Sequence, residues 1–91
     1  MVKDNYKYLR ISSATTTQVA TGPCSLIAII VNTTAAGTIG IIDNTSGTTV
    51  DVGQLAASVA NGRYEYGIRL AAGLRIITGA ASDITVVYEQ G

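Results

Sequence analysis

Apolar and polar residues alternate along most of this chain with a period of two, the spacing of a strand with one face covered. Tyr6 to Ile11 is the first such segment, with Tyr6, Tyr8 and Arg10 on one face and Lys7, Leu9 and Ile11 on the other. Ser12 to Thr21 is rich in Ser and Thr, and its Thr15 to Val19 reads as a short, weak strand at most; Gly22-Pro23 then punctuates the chain. Cys24 to Asn32 is the strongest strand pattern. Strict alternation puts Leu26, Ala28 and Ile30 on one face and Ile27, Ile29 and Val31 on the other, so both faces are apolar and both are expected to be buried.

Ala35-Ala36-Gly37 is the next turn, and Thr38 to Asp43 follows as a strand. Asn44 to Gly47 has turn chemistry, which predicts that Thr48 to Val52 folds back as a hairpin partner. Gln54 to Asn61 breaks the alternation: Leu55 and Val59 are four apart among Ala and Ser, consistent with one or two helical turns or with a crossover loop. Arg63 to Leu70 alternates charge with Tyr64, Tyr66, Ile68 and Leu70, a half-buried strand. Leu74 to Thr78 and Asp83 to Glu89 complete the set. The expected fold is all-β, an antiparallel β-sandwich or jelly-roll-like domain of seven to eight short strands. Within this single domain, residues 1–20 are expected to form an N-terminal strand or arm and residues 21–91 the sandwich core.

Composition sharpens this picture. In 91 residues there is no His, Trp or Phe, one Cys and one Pro. About a third of the chain is Ile, Val or Thr, side chains that stiffen χ1 and suit a pleated surface. Only 13% is charged, against roughly 25% in an average soluble domain. Part of the surface must therefore be apolar or neutral, which in a soluble protein points to association, here with copies of itself. Six basic and six acidic residues are spread along the chain. Lys3, Lys7 and Arg10 are the nearest thing to a basic cluster, too few to neutralise a run of phosphates, so no nucleic-acid partner is expected. The most apolar stretch, Leu26 to Val31, is far shorter than a bilayer span, and Met1 to Ser13 has no signal-peptide core; no membrane partner is expected.

The reactive inventory is thin. Cys24 lacks a histidine to activate it and a second cysteine to pair with, and reads as a small buried hydrophobe. Asp43, Asp51 and Asp83 lie near turns and carry oxygen chemistry suited to Ca²⁺, but without the spacing of a calcium loop; turn formation is the better reading. Glu65 and Glu89 are the only glutamates, and nothing sets them facing one another as a glycosidase needs. No enzyme activity, metal or cofactor is expected. Tyr6 and Tyr8, spaced for one strand face, suit a subunit interface better than base or sugar stacking, since no Trp or basic surround accompanies them. The candidate interface residues are Tyr6, Tyr8, Leu9, Ile11, Ile27, Ile29 and Val31.

Two stretches resemble a pattern in small virion proteins of tailed bacteriophages. One is Gly22-Pro23-Cys24-Ser25-Leu26-Ile27-Ala28-Ile29-Ile30-Val31-Asn32 with Gly37 to Asn44; the other is Ala72-Gly73-Leu74-Arg75-Ile76-Ile77-Thr78 continuing to Asp83-Ile84-Thr85-Val86-Val87-Tyr88-Glu89. The resemblance covers roughly residues 20–90. It implies a β-sandwich structural protein, above all a capsid decoration (cement) protein that oligomerises, as a trimer, and stabilises the head shell. The implied partner is the major capsid protein or another virion protein, and the implied location is the virion, after synthesis in the host cytoplasm. A tail, neck or head-fibre subunit is the alternative. A carbohydrate- or receptor-binding sandwich using Tyr6, Tyr8, Tyr64 and Tyr66 is a third.

Overall fold

The computed structural model describes residues 6–90; Met1 to Asn5, with Lys3 of the basic cluster and the start of the expected arm, and Gly91 lie outside them. Eight strands follow in chain order: β1 (Tyr6–Ile11), β2 (Thr16–Thr21), β3 (Cys24–Thr33), β4 (Ile39–Asp43), β5 (Gly53–Leu55), β6 (Gly62–Leu70), β7 (Gly73–Thr78) and β8 (Asp83–Gln90). They form two four-stranded sheets, sheet A in the order β1-β8-β3-β6 and sheet B in the order β2-β7-β4-β5. All pairings are antiparallel. Strand 1 pairs with 8, 2 with 7, 3 with 6 and 4 with 5, successive pairs falling in alternate sheets. That nested pairing is the wiring of an eight-stranded jelly roll, a double-sheet solution of two Greek keys.

The core lies between the sheets. Sheet A contributes Ile11, Leu26, Ile29, Val31, Leu70, Ile84 and Val86, and sheet B contributes Ala20, Ile39, Ile41, Leu55, Leu74 and Ile76. The alternating faces of the sequence place most of these directly: Ile84 and Val86 point inward, as do Leu74 and Ile76. Each fully buried aliphatic side chain of this kind contributes about 1.5–3 kcal/mol relative to leaving it in water.

Strand β3 departs from strict alternation, and the departure decides which side chains are internal. Between Leu26 and Ala28 it carries one more residue than β8 and one fewer than β6. The irregularity at Ile27 swaps the faces, so Leu26 joins Ile29 and Val31 in the core while Ala28 and Ile30 lie on the other face, Ala28 fully covered by its neighbours and Ile30 half-buried. On the facing strand the extra residue is accommodated at Gly67, whose φ of 62° lies where a side chain would be strained. Ile27, Ile29 and Val31 therefore do not share one face. Ile29 and Val31, expected at an interface, are buried by their own chain and are not available to a partner.

Two other expectations shift. The partner of β4 is Gly53–Leu55, not Thr48 to Val52, and Gln54 to Asn61 forms no helix: it begins in β5 and continues as a turn in which Ser58 donates its N–H to the Ala35 carbonyl. The reason lies in residues 44–52, which fold across the outer face of sheet B. Arg75 Nε donates to Gly47 O at 2.9 Å, and the Val52 N–H returns to Ile41 O at 3.1 Å. Val50 comes down on Gly40: a Cβ at Gly40 would meet Val50 Cγ2 at 2.7 Å. This strap buries Ile42, which faces away from the inter-sheet core.

Residues 6–20 are also part of the sandwich. β1 is one of the outer strands of sheet A and β2 one of those of sheet B, and Ile11 and Ala20 enter the core. Removing residues 1–12 would strip a strand from β8 and uncover Leu9 and Ile11 contacts, so the truncated chain is expected to lose stability and not merely an arm. A charge in the inter-sheet layer has no partner and costs several kcal/mol. Ile29→Asp should therefore abolish the cooperative melting transition seen by circular dichroism or leave the protein insoluble; a soluble variant that melts as the native protein does would contradict this core assignment.

Candidate functional site

The surface of the domain has two unlike sides. Sheet B turns its outer face toward the 44–52 strap and is covered by it. Sheet A presents its outer face bare among the described residues. Antiparallel registers order that face into three rows running β1, β8, β3, β6: Tyr6, Glu89, Ser25, Arg69; then Tyr8, Val87, Ala28, Glu65; then Arg10, Thr85, Ile30, Arg63. Charges sit at the margins and half-buried Val87 and Ile30 in the middle. Tyr8 is 76% exposed and Tyr6 52%, at the β1 edge of this face.

Of the seven candidate interface residues, the structure brings only Tyr6 and Tyr8 together at an open surface. Leu9 packs against the core, and Ile11, Ile29 and Val31 belong to it. Ile27 is half-buried at the β3 irregularity. The four tyrosines of the carbohydrate-binding alternative do not gather either. Tyr64 and Tyr66 lie on β6, at the opposite edge of sheet A, and pack against the core. Burial pushes the Tyr66 phenol above its ordinary pKa, and the Tyr64 hydroxyl donates to Ala60 O. Glu65 and Glu89 share the outer face of sheet A but sit on strands separated by β3, with no cleft between them.

The three aspartates near turns are each engaged by the fold. The Asp43 carboxylate accepts three backbone N–H groups from the β6–β7 turn: Ala72 at 2.9 Å, Ala71 at 3.2 Å and Gly73 at 3.3 Å. Those hydrogen bonds hold its pKa below the ordinary carboxylate value, Ala72 most of all. Asp51 Oδ1 accepts the Asp43 N–H at 2.9 Å, tying the strap to β4. Asp83 takes both prongs of the Arg10 guanidinium, with Nε to Oδ1 at 2.8 Å, and Asn32 adds a weaker contact. The Arg10 bond lowers the Asp83 pKa and raises that of Arg10. Among the described residues no three acidic, Cys or His side chains converge as metal ligands. Burial pushes the Cys24 thiol upward, away from the thiolate form that reacts.

Some structural polar groups carried no readable signal. Gln18 sits at the β2 irregularity, where its amide nitrogen reaches Ala20 O at 2.7 Å and Asn44 O at 3.0 Å while its oxygen accepts from Arg75. Buried Thr78 donates to Ser13 O at 2.6 Å and accepts from the Thr15 N–H at 3.0 Å, closing the loop between β1 and β2. Neither residue type at such a position is distinctive until the strand beside it is known. What these groups do is hold turns and edges in place. The arrangement offers a surface for docking, with aromatic groups at one margin of a mixed-charge sheet.

Compared with known proteins, the chain matches no family model, no curated sequence and no solved structure.

The Asp43 contact makes a pH prediction. A carboxylate whose folded pKa is depressed stabilises the fold above its unfolded pKa, and that contribution is lost as pH falls through the folded value. Asp43→Asn should cost about 1 kcal/mol at neutral pH, allowing for solvent around the turn. In thermal melts the gap between the native protein and the variant should narrow as pH drops below about 4. A gap that stays constant down to strongly acidic pH would show that the three N–H contacts do not stabilise the charged form.

Proposed function

We propose that the chain is a structural subunit of a bacteriophage virion, a capsid decoration protein that oligomerises and binds the head shell through the outer face of sheet A. The observation that supports this reading is the asymmetry of the two outer faces: one is roofed by residues 44–52, the other is left open with Tyr6 and Tyr8 exposed beside Val87 and Ile30. Exposed tyrosines around a partly apolar centre are the composition of a docking surface. The resemblance of residues 20–90 to small virion proteins supplies the identity of the partner. A jelly roll is also an architecture that viral capsid and lectin domains use, an analogy at the level of fold only.

Nothing in this role calls for catalysis. A shell component needs a stiff body, a surface matched to its neighbours and resistance to opening. β-branched strands, a core shared by two sheets and turns locked by Asp43 and Thr78 supply the first and last. The tail, neck or head-fibre alternative rests on the same surface and differs only in the partner.

Binding to purified capsid shells of the source phage tests the reading. The pairs on this face, Arg10–Asp83 and Arg63–Glu65, lie at the surface, with only Asp83 half-buried, and are already satisfied within the chain. Exposed ion pairs are worth at most about 1 kcal/mol and are screened by salt. Affinity for shells should therefore fall less than about tenfold between low salt and about 0.5 M, and Val87→Glu should weaken binding while leaving the melting transition in place. Absence of the protein from the shell in cryo-electron microscopy of the source particle would exclude the decoration role; binding to isolated tails and not to shells would move it to the alternative.

A further inference from the structure

Four strands lie at sheet edges, and three of them are blunted. β5 is three residues long. β2 is irregular between Gln18 and Ala20, with the Gln18 side chain already occupying nearby carbonyls. β6 carries the extra residue at Gly67, which bends the strand out of line. β1 has none of these backbone irregularities, and its only protection is the side-chain charge of Lys7 and Arg10. Its six residues pair with β8 one to one from Tyr6 to Ile11, and no described strand lies on its other side. Every second residue of such a strand points its N–H and C=O away from the sheet, an unsatisfied ladder ready for another strand.

The side chains of β1 match a second copy of themselves. Two β1 strands meeting antiparallel about a two-fold axis must pair residues of the same face, since successive side chains alternate. With the axis at Tyr8, each Tyr8 lies opposite its counterpart, Tyr6 lies opposite the second copy's Arg10, and Lys7 lies opposite its Leu9. No like charges stand directly opposite. The outer row becomes an aromatic pair flanked by two Tyr–Arg contacts, both favourable cross-strand partners. Asp83, on the β8 side, holds the edge of the Arg10 guanidinium, and the Arg10 side chain stays 66% exposed beside the open edge.

We propose that β1 is a self-pairing edge: two copies join antiparallel through β1 about a two-fold axis at Tyr8, fusing their two A sheets into one continuous sheet of eight strands. This covers the flanks of Tyr6 and Tyr8, two of the large hydrophobic side chains the isolated chain leaves exposed, while their outer faces stay open. It depends on the geometry of the edge and not on attachment to a shell. It also sets a two-fold unit in place of the three-fold order implied by the virion resemblance. A closed two-fold contact consumes the edge in both copies and so ends growth, which is how a self-complementary edge avoids open-ended aggregation.

A charge exchange at the axis tests it, with the full chain in sedimentation velocity and light scattering. The native protein should be a dimer at micromolar concentration. Tyr8→Lys and Tyr8→Glu should each be monomeric, because each sets like charges together, and each should melt close to the native protein, because Tyr8 is exposed. Mixing the two variants one to one should restore the dimer, with the Lys variant and the Glu variant meeting across the axis. In hydrogen exchange, alternate amides of β1 should be protected in the dimer and lose protection in either single variant. A monomeric native protein would overturn the proposal, as would variants that stay dimeric alone. A Tyr8→Glu variant that dimerises better than the native protein would overturn the Tyr8 axis, since it would place position 8 opposite the second copy's Arg10. Shell binding plays no part in these measurements, so they succeed or fail independently of the virion role.

Discussion

The ladder between β3 and β8 is the constraint on which the rest of the domain depends. It brings the most apolar strand of the chain, Cys24–Thr33, against the last one, Asp83–Gln90, and both are then paired on their other sides, β8 by β1 and β3 by β6. Once those two central strands are joined, their inner faces, Leu26, Ile29, Val31, Ile84 and Val86, form half of the core in one continuous surface. Sheet B has only to supply the facing half. Because nearly every pairing is distant in sequence, little of this structure forms locally, and loop closure must precede most of the stabilising contacts.

Polar groups then secure what the core leaves loose. Asp43 ends β4 and gathers the N–H groups of the β6–β7 turn, so one side chain joins sheet B to the turn that carries the chain out of sheet A. Thr78 does the same for the β1–β2 connection, and Gln90 donates to Thr21 O at 2.8 Å, fixing the last strand to the turn before β3. These contacts share a logic. Each satisfies backbone groups at the point where a strand stops and ladder partners run out.

The two outer faces follow from one choice of covering. Residues 44–52 are long enough to be a strand and instead spread over sheet B, held by Arg75 and by Asp51. That protects Ile42 from solvent but leaves β4 with only the short β5 as its outer neighbour. No corresponding strap crosses sheet A among the described residues. The chain thus has one finished side and one open side, and its exposed tyrosines are on the open side. The proposed contacts, with a shell or with a second copy, both use this open side.

Much of the architecture was legible without coordinates. Alternation over Tyr6 to Ile11, the apolar run from Cys24, and the patterns at Arg63 to Leu70, Leu74 to Thr78 and Asp83 to Glu89 all mark real strands, since a two-residue period is a local property that survives in any β context. Turn residues separated these five segments, while the stretch from Thr48 to Leu55 was divided differently in the fold. The sequence could not show that Leu26 and Ile29 share a face, because the irregularity at Ile27 exists only relative to β8 and β6. It could not show that Thr48 to Val52 is a roof and Gly53–Leu55 the strand, because the roof is held by Arg75 and by the absence of a side chain at Gly40, both set by what lies beneath. Nor could it separate Tyr6 and Tyr8, on an open edge, from Tyr64 and Tyr66, which alternate just as well but face the core. Local periodicity tells a chain which residues must share a face; only the neighbouring strand decides which face is inside.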